Sequence, residues 1–159
     1  MEPSLIHKQA ACCADCGSYG KKGNVAANGC GAIAAYNAGQ LLGRPFSLQE
    51  ALLVLGSSAL AHGRMGTNPF ALVRFLKAKG IRPRRRGLAK TEGGQGAYIA
   101  LYLYTLNGRI SSHYAALWGE GDGFLAYNDS HDGQIRQYAS IYEMKKAHNA
   151  KALWVWELR

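Results

Sequence analysis

No stretch of this chain is apolar for long enough to cross a bilayer. The longest apolar run, GAYIALYLYTL at residues 96 to 106, is about half the ~20 residues that a membrane-spanning helix needs. The N-terminus, MEPSLIHKQAACC, lacks the charged head and apolar stretch of a secretory signal. These two absences predict a cytoplasmic protein, or one whose leader has been removed. Internal repeats and low-complexity tracts are also missing, which excludes stacked-repeat architectures. Acidic residues are scarce, with 10 Asp and Glu against 19 Lys and Arg, for a net charge of +9. The densest basic cluster is IRPRRRG, with Arg82, Arg84, Arg85 and Arg86. It has no interleaved aromatics and matches no nucleic-acid motif, so a solvated basic strand or loop is expected rather than a nucleic-acid partner.

Cysteine is uncommon and unevenly placed. Three of the four residues crowd into CCADC (Cys12, Cys13, Cys16), and the fourth is Cys30. With His7 the cluster reads His-x4-Cys-Cys-x2-Cys, but adjacent cysteines strain one tetrahedral zinc site and no second Cys-x2-Cys pair exists. Free thiols or a disulfide within the cluster are expected, and neither a metal nor a cofactor. A zinc or redox protein built on CCADC is the rival reading, in which Cys30 would be irrelevant.

What is present suits one folded domain over residues 1 to 159, with 48% hydrophobic residues and length enough for a core. Residues 1 to 23, rich in glycine and lysine toward their end, are expected to be irregular. From Gly29 to Leu42 the residues are helix formers, with Gly43 as the C-cap. The SLQE run from Ser47 to Glu50 is a capping box that opens a second helix to about Ala61. In TNPFALVRFLKAKG, Asn68 caps, Pro69 takes the first helical position and Gly80 ends a third helix. Beyond Gly80 the period changes from helical to two. IRPRRRG, YIALYLY, SSHYAALWG, GFLAYND and AKALWVWEL read as strands, with a hairpin at EGDG and a short amphipathic helix at SIYEMKKAHN. Helices followed by an antiparallel sheet make an α+β fold, two lobes with a cleft between them.

The chemistry-bearing stretch is NVAANGCGAIAAYNAGQLLG, residues 24 to 43. Cys30 stands where a turn ends and a helix begins, and the positive end of the helix dipole there favours a thiolate. A cysteine nucleophile needs a base, and the base needs an orienting group. Of five histidines, only His113 lies inside a predicted strand, sharing a face with Ala115 and Leu117. Hairpin register decides the orienting group. A loop centred on Gly121 sets Asp129 across from His113, whereas a Gly121-Asp122 turn moves Asn128 to the histidine's face and Asp129 to the other. Either side chain can accept a hydrogen bond from the imidazole.

The ordered set NGCGAIAAYNA, SSHYAALWG and FLAYND resembles the papain-like cysteine peptidases, closest to the bacteriocin-processing (double-glycine leader) peptidases. It spans roughly residues 24 to 130. The resemblance implies a papain-like fold with a helical lobe packed on an antiparallel sheet lobe. It implies Cys30 as nucleophile, His113 as base and Asp129, sixteen residues after the histidine, as third member, with Asn128 as the fallback. The family's oxyanion glutamine, six residues before the nucleophile, is matched by Asn24, which keeps the amide but is one methylene shorter. Asn28 is a possible substitute. The implied function is hydrolysis of a peptide or amide bond through an acyl-thioester, with a peptide or protein as substrate. The alternatives are a binding module that has lost turnover, and an acyltransferase or amidase using the same thiol.

Overall fold

The computed structural model describes residues 4–14, 17–87 and 94–159. The segment expected to be irregular is partly ordered. A 3-10 helix covers Gln9–Ala14, and a two-residue strand β1 (Ser18–Tyr19) pairs with β2 (Gly23–Asn24) around a glycine turn. A single helical turn, α1 (Val25–Asn28), follows, capped by the Asn24 side chain, which accepts from the Ala27 N–H at 2.8 Å. Cys30 then opens α2 (Cys30–Leu41), and Gly43 leaves it with φ 66°, the left-handed conformation that a helix C-terminus favours.

The next two helices start where their caps predict. Ser47 accepts from the Glu50 N–H at the head of α3 (Leu48–Ser57), and Asn68 accepts from the Phe70 N–H before α4 (Pro69–Ala78). The second helix ends four residues earlier than about Ala61. Ala61 and His62 take positive φ within a separate 3-10 turn, Leu60–Gly63, which breaks the α-helical run.

Six strands form one antiparallel sheet: β3 (Pro83–Arg86), β4 (Gly96–Leu106), β5 (Arg109–Glu120), β6 (Gly123–Tyr127), β7 (Arg136–Tyr138) and, after α5 (Ile141–Ala147), β8 (Ala152–Leu158). Their order across the sheet is β3-β8-β4-β5-β6-β7. IRPRRRG supplies the edge strand β3, where Arg86 pairs with Glu157 of β8. An edge of charged residues is a common defence against edge-to-edge pairing.

The alternation in β4 and β5 splits the sheet into two differently used faces. Ile99, Leu101, Tyr114 and Leu158 bury against α2, α3 and α4. Tyr98, Ala100, Tyr102, Ala115 and Leu117 bury against Ile141 and Met144 of α5. A period-two pattern distributes side chains this way because successive Cβ atoms point to opposite faces. Among the described residues, no helix is long and apolar enough to cross a membrane. Of the CCADC cluster, Cys12 is half-buried and Cys16 lies outside the described residues.

Candidate active site

Three local features deliver Cys30. The Asn24 cap and the single turn of α1 lead into Gly29, and the Gly29 N–H bonds back to the Val25 carbonyl at 2.9 Å. Cys30 is then the first residue of α2, 4% exposed. Gly31 behind it has no room for a side chain, since a Cβ there would lie 2.3 Å from Thr67 Oγ1 and 2.4 Å from Thr67 Cβ. Thr67 is held in turn by Tyr19, whose hydroxyl lies 2.6 Å from Thr67 Oγ1, and by the Tyr114 hydroxyl, which donates to its carbonyl at 3.0 Å.

Gly31→Ala therefore sets two effects against each other. Alanine in a helix interior normally gains about 1 kcal/mol over glycine. Overpacking a closed contact costs about 1–3 kcal/mol, and a backbone-fixed Cβ at that distance cannot yield as a flexible side chain would. Net destabilisation is expected in a urea-unfolding measurement. A neutral or stabilising result would show that the Thr67 loop moves freely.

His113 meets Cys30 at the end of a strand pairing. β6 stops at Tyr127, opposite Ala116, so β5 has no β6 partner at His113 and Tyr114. The imidazole faces the Cys30 thiol closely enough to act on its ionisation, as do the main-chain N–H groups of Tyr114 and Gly31. On its other side, His113 Nε2 lies 2.6 Å from the Asn128 carbonyl oxygen. Burial by itself would raise the Cys30 thiol. The His113 hydrogen bond and charge, with the two backbone donors, outweigh it and hold the thiol below its ordinary value. Burial by itself would lower His113. Its contact with Cys30, then the Asn128 carbonyl and the nearby Asp129 charge, hold it above the usual histidine value instead. The two shifts describe one coupled pair that favours thiolate and imidazolium.

The hairpin turn is Gly121-Asp122, flanked by the Glu120–Gly123 pair. Of the two registers open from the sequence, this is the one that moves Asn128 to the histidine's face. Asn128 itself takes φ 55° just after β6 ends, a conformation that asparagine tolerates better than most residues. Its main-chain carbonyl, rather than its side chain, meets the imidazole. The Asn128 side chain instead accepts from the Gln9 N–H at 2.8 Å.

The direct bond expected between Asp129 and His113 is replaced by another set. Asp129 Oδ2 accepts from Tyr138 Oη at 2.6 Å and lies 2.8 Å from His148 Nε2, and Oδ1 accepts from Tyr102 Oη at 3.2 Å. The reason is the turn at Asn128, which takes the chain off the strand and swings the next side chain toward α5. Burial would raise the Asp129 carboxyl, but the bond and charge of His148, then Tyr138 and His113, keep it below the ordinary carboxylate value. Burial and the aspartate's charge push both tyrosine hydroxyls up, so they remain O–H donors. His148 follows the last residue of a short helix, α5. A capped amphipathic segment ending in histidine carries no signal that its ring will stack on Tyr102, with centroids 4.3 Å apart.

Asn24 also differs from expectation. It is exposed, and its side-chain oxygen is used as the α1 cap. The adjacent groove, about 670 Å³, is walled by Cys30 and Asn28 but not by Asn24. The shorter side chain satisfies the nearest orphan N–H groups of its own helix instead of reaching forward. Asn28 is also engaged, donating from Nδ2 to the Arg64 carbonyl at 2.9 Å. The rest of the groove is mainly apolar. Leu101, Leu103, Trp154 and Trp156 of the sheet contribute to it, as do Met65, Phe70 and Ile110, which are 67%, 79% and 80% exposed. Arg64 and Arg85 add positive charge, which places one residue of the basic cluster at the groove. Among the described residues, no three His, Cys, Asp or Glu side chains gather as a metal-binding group.

No family model and no curated protein matches the chain. Among solved structures, it is similar to a double glycine motif protease from an AMS/PCAT transporter, crystallised in complex with the leader peptide. The TM-score is 0.49 and the sequence identity 11%, over 82% of this chain and 84% of that one.

Proposed function

We propose that the protein is a papain-like thiol hydrolase that cleaves a peptide or amide bond, with Cys30 as nucleophile and His113 as its base. The observation that supports this is Cys30 at a helix N-terminus facing His113, whose Nε2 is held at 2.6 Å by the Asn128 carbonyl. Cys30 Sγ attacks the carbonyl carbon, and the electron pair moves to the carbonyl oxygen. The Cys30 N–H, left without an intrahelical partner at the helix start, stabilises that oxyanion. The His113 imidazolium gives its proton to the leaving amine, and the neutral imidazole then takes a proton from the water that releases the acyl group.

In this reading Asn128 supplies the orienting acceptor through its main chain, and Asp129 contributes charge to His113 without bonding it. The groove beside Cys30 suits an extended segment with apolar side chains. Asn24 is the weak point of the machinery. If its amide stays in the cap, the oxyanion loses a second donor, a deficit of about 10²-fold or more in rate. That observation favours the second reading, a papain-like binding module with little turnover.

A peptide-library digest resolves the two. Hydrolase activity is expected to release new N-termini, to show an acyl adduct on Cys30 by mass spectrometry, and to vanish in Cys30→Ala. Binding of the same peptides by wild type and Cys30→Ala, with no products from either, would establish the binding module instead. Release of amine-capped products faster than hydrolysis would assign the thiol to acyl transfer.

A further inference from the structure

The segment before β1 lies across the two halves of this site. Ile6 and the fully buried Asn37 of α2 exchange a pair of hydrogen bonds, the Ile6 N–H to Oδ1 and Nδ2 to the Ile6 carbonyl, each 2.8 Å. Gln9 then spends both amide protons on the run that delivers the nucleophile: Nε2 donates to the Val25 carbonyl at 2.6 Å and to the Ala26 carbonyl at 2.8 Å. The Gln9 backbone N–H donates to Asn128 Oδ1, and Asn128 Nδ2 lies 3.5 Å from Gln9 Oε1. The His7 ring lies 5.8 Å from that of Tyr127, the last residue of β6. One residue thus joins the turn that sets Cys30 to the residue whose carbonyl holds His113.

We propose that Gln9 is a positioning residue, and that residues 4 to 14 act as a splint that fixes the Cys30–His113 geometry. Two features make such a splint necessary. A four-residue helix such as α1 is too short to be stable alone. Asn128 lies past the end of its strand in a left-handed conformation, where ladder hydrogen bonds no longer orient its carbonyl. A primary amide suits the junction because it presents two donors in one plane to two successive carbonyls. The proposal rests on the thiolate–imidazolium reading of the site.

The test is the pH profile of Cys30 alkylation by iodoacetamide in Gln9→Glu, Gln9→Met and Asn128→Gly, with folding checked by thermal melting. Gln9→Glu removes both donors and sets a carboxylate against two carbonyls. Gln9→Met removes the donors at nearly constant volume. Asn128→Gly keeps the carbonyl and suits the positive φ while deleting the anchor to Gln9. Gln9→Met and Asn128→Gly neither add a charge nor change Cys30, His113, Tyr19, Tyr102, Tyr114, Asp129 or His148, the titrating groups around the pair, so a shifted profile in these two reports geometry, whereas Gln9→Glu adds a charge of its own. The expected result is a fall of about tenfold in Cys30 alkylation at pH 6, with the rate at high pH retained, where the thiolate forms without help. Folded Gln9→Met and Asn128→Gly proteins with the wild-type profile would overturn the positioning role and leave the hydrolase reading standing. An ordinary thiol profile in the wild type itself would overturn both.

Discussion

His113→Ala is expected to abolish the reactivity of Cys30 at mildly acidic pH. In the wild type the thiol is held low and the imidazole high, each mainly by the other once burial is overcome. The two shifts run toward each other, and each enlarges the share of the thiolate–imidazolium pair. Without the imidazolium, burial acts unopposed by any positive side chain, and the thiol returns to about 8.5 or above. At pH 6 such a thiol is only about 0.3% ionised. A thiolate of lower pKa is intrinsically less nucleophilic, which offsets part of that gain. The net loss in iodoacetamide rate at pH 6 should still be at least about tenfold, shrinking to nothing above about pH 9. Under the proposed hydrolase function, peptide hydrolysis should fall further, by about 10²–10⁴-fold, because His113 is there also the donor to the leaving amine. Equal low-pH reactivity in wild type and His113→Ala would remove the base from the mechanism.

Asp129→Asn is expected to cost stability far more than it costs chemistry. The carboxylate is fully buried and takes hydrogen bonds from His148, Tyr138 and Tyr102. Removing the acceptor strands these donors, and each buried donor left unsatisfied costs about 1–3 kcal/mol. The pH dependence has a definite sign. The folded-state pKa of Asp129 is depressed, so its contribution is present above the unfolded carboxylate value, about 3.9, and is lost as pH falls through the folded value. The wild type and Asp129→Asn should therefore differ most in urea unfolding at neutral pH and converge as the pH falls through the depressed folded-state value. The catalytic effect separates two roles. Neutralising a carboxylate that bonds the catalytic histidine directly costs about 10⁴-fold in kcat. A carboxylate seated on His148, acting on His113 only through its charge, should cost well under that. His148→Phe should then reproduce much of the stability loss while the alkylation profile of Cys30 stays in place. A full 10⁴-fold loss in folded Asp129→Asn would restore Asp129 to direct contact with His113 in the working enzyme.

Much of this could be read along the chain. The caps at Ser47 and Asn68, the glycine stop at Gly43 and the change of period after Gly80 specified the helices and strands, because each depends on residues within a few positions. The pairing of Cys30 with His113 was also within reach. One residue opens a helix and the other sits in an alternating strand, and both placements follow from local pattern. The two hairpin registers could both be written down, but not chosen between. That choice turned on whether Gly121 and Asp122 together form the turn, which the EGDG run leaves open.

Contacts made by residues far apart in the chain were decided only in three dimensions. The positive φ at Asn128 turns its carbonyl to the histidine and sends the Asp129 carboxylate to a helix that begins twelve residues later. His148 carried no local sign of this, since its partner is set by where α5 packs. Nor did Gln9, which bonds residues 16 and 119 positions away. Asn24 shows the same limit from the other side. Spacing counts positions, whereas a side chain one methylene short closes on the nearest free N–H groups, here those of its own helix turn. Local propensity thus settled most of the elements and singled out Cys30 and His113. The partners that hold the pair in register came from packing, because hydrogen-bond geometry depends on distances in space that the order of residues does not encode.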